Sequence, residues 1–352
     1  MEKSNSDKIK HDILQSIFEN YGNLETKAIA NNNGVSLQAV YNHINSLEKQ
    51  NRIIKVKSGR RNTFALIPEL TLEKTYPIVG ITEDECLKYD FYNVFDNLPR
   101  IACSVFSYVF LEMLNNAIEH SSGELVYVRV QKNAYAISCV ISDNGVGIFT
   151  KIQNTLRLSE KRYAILELAK GKFTSDPDSH TGEGIFFSSK AADEFVILSD
   201  HLMFVGKTSK KHMIKTDWIA DFPEYDDGGT HVMFSISIKH NVALHDVFSR
   251  YYRNPESYGF EKTVVPVSLL EYKDENPIFV SRSQARRLLA RFEKFSTIVL
   301  DFAEVHEVGQ AFADEIFRVF ANAHEDCELQ YINANEQVEK MILRAKGAKS
   351  TA

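Results

Sequence analysis

Apolar residues in the first fifty positions recur at helical spacing, and the pattern then changes to alternation. Ile9, Ile13, Leu14, Ile17 and Phe18 fall on one side of a helix over 7–20. A Tyr-Gly-Asn break ends it, and a short helix over Glu25–Asn31 follows. Asn33-Gly34 turns the chain, and Ser36 is placed to cap a third helix running to about Lys49, with Leu37, Val40, Ile44 and Leu47 on its buried side. The segment RIIKVKSGRRNTFALI then alternates like two strands joined at Ser58-Gly59-Arg60-Arg61.

Residues 68–95, with Pro68, Pro77 and the acidic run Glu83-Asp84-Glu85, read as a connector with one short helix. Beyond it a helix shows two stripes. Leu111, Leu114 and Ile118 form the apolar one, while Glu112, Asn116 and His120 lie at i, i+4 and i+8 on the other. Leu125–Val130 and Ala136–Ser142 alternate as a hairpin that delivers Asp143 to a strand end, facing a turn with Gly145 and Gly147. Thr181-Gly182-Glu183-Gly184 opens a helical run through Asp193, and a last strand carries Thr230. Residues 149–180 hold a helix near Ser159–Lys170 and a loose polar stretch, readable as a lid over phosphate or as an ordinary surface insertion. After an aromatic-rich connector at 241–276, two strands (Thr297–Phe302, Glu328–Ile332) alternate with helices at 281–294, 310–323 and 335–345, a small α/β unit over 277–346.

Composition narrows the setting. The chain has 352 residues, 44% of them hydrophobic, enough for two or three domains with cores of their own. Four cysteines without C-x-x-C spacing argue against structural zinc and against a disulfide framework. A polar N-terminus and the lack of an apolar run of roughly 18 residues predict neither signal peptide nor membrane span, hence a cytoplasmic protein. The net charge is −6, yet Lys49, Arg52, Lys55, Lys57, Arg60 and Arg61 follow one another with no acidic residue between them. A basic patch on an acidic protein suggests a local polyanion site.

A carboxylate one helical turn before a carboxamide can hold water and Mg²⁺ against a triphosphate. Asp143 could accept a hydrogen bond from an exocyclic amine. Glycines at 145 and 147 would let backbone approach a ring or take positive φ. Free N–H groups at the helix start near Gly182 and Gly184 can meet phosphate oxygens. Taken alone, D-x-G-x-G is an ordinary turn signal, and His120 serves equally as a residue that caps or packs the helix end.

In this order and on these elements, the four segments resemble the GHKL ATPase superfamily, which includes gyrase and histidine kinases, over roughly 96–240. The resemblance implies an α/β sandwich, a mixed sheet covered by helices on one face, binding ATP and Mg²⁺. It assigns Glu112 as general base, Asn116 as Mg²⁺ ligand and His120 as the residue closing the first motif. Asp143 becomes the adenine-binding carboxylate, Gly145 and Gly147 its turn, Gly182 and Gly184 the phosphate loop, and Thr230 a second contact near adenine. The 68–95 connector contains no histidine for a phosphoacceptor, which argues against two-component signalling in cis.

Residues 1–67 resemble a winged helix-turn-helix domain. That geometry implies DNA as partner, with Gln38, Tyr41, Asn42 and His43 facing base edges or phosphates and Lys55, Lys57, Arg60 and Arg61 supplying phosphate contacts. The alternative is a winged helix used for protein contact, its charges solvated. The segment TIVLDFAEVHEVGQAFADEIF resembles STAS-like domains related to anti-sigma-factor antagonists. Gln310 holds the place where those antagonists carry a phosphorylatable serine, so a docking or switch role, with a protein partner, is implied. Arg282, Arg286, Arg287 and Arg291 read as a solvated helix face or a partner surface.

The fold class expected is multidomain α+β. The function expected is an ATP-binding, ATP-hydrolysing, DNA-binding regulator whose nucleotide state controls domain arrangement. A protein serine/threonine kinase of the anti-sigma-factor type and a non-hydrolysing nucleotide-binding scaffold stay open, as does the oligomeric state, a homodimer included.

Overall fold

Capping chemistry sets the first unit. Ser36 Oγ accepts from the Ala39 N–H at 3.2 Å, and Gly34, at φ 62°, ends the preceding helix. Helices α1 (Asn5–Glu19), α2 (Thr26–Asn33) and α3 (Leu37–Lys49) lead into an antiparallel hairpin of β1 (Ile53–Ser58) and β2 (Arg61–Leu66), registered Ile53 opposite Leu66. Ile9, Ile13, Ile17, Ile29, Val40, Ile44, Leu47 and Ile53 form its core. Leu37 differs from expectation: it is 41% exposed. Spacing assigns a residue to a helix face, but whether a neighbour reaches the first turn of that face is a tertiary matter.

This computed structural model describes residues 5–20, 22–58, 61–173, 182–208, 218–221, 228–252, 259–270 and 278–347, with backbone alone at 57, 58, 61, 62, 207, 208, 218–221 and 278.

The middle unit is a seven-stranded sheet. Its elements are β3 (Leu70–Pro77), α4 (Glu83–Cys86), α5 (Arg100–His120), β4 (Leu125–Lys132), β5 (Ala136–Asp143), α6 (Ile148–Leu156), α7 (Tyr163–Lys170), α8 (Gly184–Ala191), β6 (Glu194–Ser199), β7 (Leu202–Thr208), β8 (Trp218–Asp221) and β9 (His231–Ser237). The strand order is β3-β4-β5-β9-β6-β7-β8. Pairing is antiparallel throughout, where a mixed sheet was expected, because β9 returns between β5 and β6 and opposes both. Val126, Val128, Val130, Ile137, Cys139, Ile141, Phe195, Ile197, Phe234 and Ile236 alternate onto one buried face, where α5 and α8 pack. β3 lies inside the stretch expected to be a connector, yet it pairs along its whole length with β4. Its residues carry few apolar side chains, since an edge strand needs only one half-covered face.

α5 is long and apolar enough by composition to cross a membrane. Its apolar side, Ala102, Val105, Phe106, Val109, Phe110, Met113, Leu114 and Ala117, is instead the core beneath the sheet.

The last unit comprises α9 (Leu244–Ser249), β10 (Lys262–Pro266), β11 (Ile278–Phe279), α10 (Arg282–Leu289), β12 (Thr297–Asp301), β13 (Glu307–Val308), α11 (Gln310–Asp314) extended by a π-helical stretch Glu315–Phe320, α12 (Ala321–Ala323), β14 (Glu328–Ile332) and α13 (Glu336–Gly347). β10, β12 and β14 form a parallel sheet with β12 central. β10 falls in the expected second connector: a five-residue run is too short for periodicity to reveal, and parallel pairing with β12 decides its state. α10 begins with a capping box between Ser281 and Gln284. The chain is thus α+β and multidomain, as its patterning predicts.

Candidate functional site

The polar stripe of α5 borders a cavity of about 360 Å³. Glu112, Asn116, His120, Asp143, Gly147, Gly182, Gly184 and Thr230, drawn from four separated segments, all line it. Gly145 lies beside the lining. Its N–H donates to Asp143 Oδ1 at 2.9 Å, and a β-carbon there would overlap the Ser121 carbonyl at the end of α5.

Asp143 is the most constrained of these residues. It is buried at the end of β5, and its Oδ1 accepts from the backbone N–H groups of Gly145 and Thr230, at 2.9 and 3.3 Å. Burial raises its pKa, and those two backbone donors and nearby His231 only partly counter this. Thr230 ties the far side of the cavity together: its carbonyl accepts from Asp143 N–H and its Oγ1 from Ile148 N–H, each at 3.0 Å. Gly147, at φ 80°, starts α6 where a β-carbon would meet Ser199 and Asp200. Asp200 braces that turn by accepting from Thr150 N–H, Thr150 Oγ1 and Lys161 Nζ.

Across the cavity, Glu112 touches the start of α8. A β-carbon at Gly184 would overlap Glu112 Oε2, so glycine is what lets the carboxylate reach the helix terminus. Glu183 has its pKa raised by burial. Tyr108, one turn before Glu112, has its phenol pushed well up by burial and by the charges of Glu112 and Glu183. Asn116 is half-buried, and among the described residues nothing hydrogen-bonds its carboxamide. Three carboxylates (Glu112, Asp143, Glu183) and a row of backbone N–H groups therefore face one space, an arrangement suited to an electropositive ring edge at one end and a metal-neutralised anion at the other. Among the described residues no group of three or more His, Cys, Asp or Glu side chains could hold a metal by itself.

Four lining residues not singled out in the sequence reading fall in the expected lid region 149–180: Lys151 of α6, Leu168, Gly171 and Phe173. The lid reading needs correction where it is described: every residue of α7 is buried, and residues 174–181, including Thr181, lie outside the described part. α7 is no surface insertion. Lys170 Nζ donates to Glu167 Oε1 at 2.6 Å and to the Ala290 carbonyl at 2.8 Å, while Arg291 donates to Glu167 Oε2 and to the Lys172 carbonyl. Arg287 lies over the Tyr163 ring, and Arg282 and Arg286 pair with Glu315. All four arginines have partners within the chain; Arg282 and Arg286 stay exposed, as a solvated face implies, while Arg287 and Arg291 are drawn in against α7.

The N-terminal candidates form a separate surface. Gln38, Tyr41 and Asn42 are exposed on α3, His43 is half-buried beside them, and Gln38 donates to Asn42 Oδ1 at 3.3 Å. Lys55 is exposed on β1. The side chains of Lys57 and Arg61, and Arg60 altogether, lie outside the described residues.

Residues 284–339 match the family described as a STAS-like domain of unknown function (DUF4325). The C-terminal unit is STAS-like. A comparison with curated proteins found no match to the chain. Gln310, at the start of α11, is exposed, with Gly309 as N-cap.

Proposed function

We propose that the chain is an ATP- and Mg²⁺-binding, DNA-binding regulator: a winged helix-turn-helix unit, a GHKL-type nucleotide domain and the STAS-like domain. The observation that carries this reading is the convergence of the four sequence segments on one cavity, with a buried, backbone-anchored carboxylate at one side and a helix start with glycine at the other. Asp143 accepts from the adenine amine. The Gly182–Gly184 backbone and the start of α8 take the phosphates. Asn116, with its unengaged carboxamide, fits the one protein ligand that a phosphate-bound Mg²⁺ needs. The metal neutralises phosphate charge when bound, and Glu112 orients water for slow hydrolysis. α3 and the β1–β2 hairpin offer DNA their exposed polar and basic side chains. Burial of α7 between the cavity and the STAS-like domain supports communication of nucleotide state to that domain.

Calorimetric titration of ATP into the full chain tests the reading. The wild type should bind, and Asp143→Asn should bind ~10–100-fold more weakly, the loss of one charge-assisted hydrogen bond of ~1.5–3 kcal/mol. Equal affinity in a folded variant removes the adenine assignment. DNA affinity measured bare, with ADP and with a non-hydrolysable ATP analogue tests the regulatory half: linkage requires a common factor in both directions. Identical DNA affinities with the analogue bound would leave a partner-directed kinase or a scaffold as the better account.

A further inference from the structure

Among the described residues lining the cavity, Lys151 is the one lysine or arginine, set against the three carboxylates Glu112, Asp143 and Glu183. It sits in the first turn of α6, immediately after Thr150, whose N–H and hydroxyl are held by Asp200. Its Nζ donates to the carbonyl of His120, at the end of α5, at 2.6 Å. That carbonyl is its one hydrogen-bond partner among the described residues, and no carboxylate pairs with it. A partly desolvated ammonium held only by a carbonyl is poorly compensated, and burial accordingly shifts Lys151 toward its neutral form. The same geometry has a purely structural use, because a lysine that donates to a terminal carbonyl stabilises a helix C-terminus. Three features go beyond that use. The side chain lines the cavity, the cavity's other charges are all negative, and a lysine on a rigidly braced turn holds its charge at a fixed place.

We infer that Lys151 is a polyphosphate-binding residue, supplying the cationic charge that a di- or triphosphate chain needs in a cavity otherwise lined with carboxylates. The inference rests on the nucleotide reading above. The ammonium keeps the His120 carbonyl with one N–H and gives others to phosphate oxygen, as a three-donor group allows. Its contribution is specific to the phosphates and leaves the nucleoside end to Asp143.

Titration of the full chain with ATP, ADP and adenosine, in the wild type, Lys151→Met and Lys151→Arg, tests it, with thermal unfolding of each ligand-free protein alongside. Lys151→Met should weaken ATP and ADP by ~10–100-fold and leave adenosine unchanged, and Lys151→Arg should recover most of the loss. Unchanged ATP affinity in Lys151→Met would overturn the inference. So would an equal loss for ATP and adenosine, with a lowered melting temperature, which would reveal a capping role alone. A wild type that binds none of the three ligands would instead overturn the nucleotide reading, and the inference with it.

Discussion

The middle unit meets its two neighbours in opposite ways. Toward the N-terminal unit it offers Tyr135, from the β4–β5 turn. The ring stacks on Phe18 at 5.3 Å and on His11 at 6.0 Å, and its hydroxyl lies 3.2 Å from both His11 Nδ1 and the His11 carbonyl. Among the described residues an exposed Arg52–Glu69 pair at 3.6 Å adds a second tie. The N-terminal core is separate, joined by Tyr135 and Ala134 from the turn. Toward the STAS-like domain there is no such boundary. One apolar cluster runs from α5 through Phe186, Phe187 and Phe260 to Phe295, Phe312 and Ile342. Within it lie Lys170, at 1% exposure, and its partner Glu167, which also pairs with Arg291. A junction made of one aromatic anchor lets two units separate at small cost, whereas one made of shared core ties their stabilities together. If the chain couples nucleotide to DNA, the mobile junction is the N-terminal one, and the STAS-like domain acts as a wall of the middle unit.

The sharpest test of that contrast is Glu167→Ala. It leaves the Lys170 ammonium buried with only carbonyls and Arg291 with its bond to the Lys172 carbonyl, and removing one partner of a buried pair costs about 3–5 kcal/mol. Chemical denaturation should show the middle and STAS-like units losing stability together. A loss confined to one transition would mean that the shared core does not couple them.

Arg291→Ala is milder. It removes one hydrogen bond to Glu167 and one to the Lys172 carbonyl, beside Phe173 in the cavity wall. Each charged bond contributes ~1.5–3 kcal/mol at most. Stability should fall by about 2–3 kcal/mol, and ATP affinity should fall severalfold although Arg291 is outside the cavity lining. Unchanged affinity would separate the STAS-like domain from the site.

Tyr135→Ala addresses the other junction. Aromatic pairs of this kind contribute ~0.5–1.5 kcal/mol beyond their burial. The main unfolding transition should hardly move, while limited proteolysis near 67–70 accelerates. A large drop in the main transition would show that the N-terminal unit is more firmly built in than its contacts suggest.

The smallest effect concerns pH. Asp143 has its folded-state pKa raised above the unfolded one, so the stability it contributes is fully present below the unfolded carboxylate value of ~3.9 and is lost as pH rises through the folded one. At neutral pH the ionised carboxylate costs the ligand-free fold something. Asp143→Asn keeps an acceptor for Gly145 and Thr230, so it should raise the neutral-pH melting temperature slightly while weakening ATP. The stability difference between the two proteins should grow with pH across the acid range and be flat near neutrality. A less stable variant at neutral pH would mean that a ligand-free Asp143 is well compensated.

Much of this was legible in the residues. Ser36 and Gly34 marked helix ends by local hydrogen-bond and φ requirements that need no tertiary partner. The i, i+4, i+8 stripe put Glu112, Asn116 and His120 on one side of α5, and the cavity lies there. Alternation placed the β4–β5 hairpin and delivered Asp143 to a strand end. β3 was read as a connector because its mostly exposed residues show little apolar alternation, and β10 because five residues are too few to show a period. Leu37 had the right spacing and still lies exposed.

What the sequence determined by itself is local: where helices start, which side of each is apolar, and which polar residues share a stripe, all consequences of backbone geometry within a few residues. What only the tertiary structure decided is what covers each face. Lys151 carried no local signal, being one lysine among many, until the end of α5 and the carboxylates of three other segments stood around it. α7 read as part of a polar insertion because Glu167 and Lys170 look like surface charges. Their burial depends on Arg291 and the Ala290 carbonyl, more than a hundred positions further along, and desolvating such charges is tolerable only once those partners are in place.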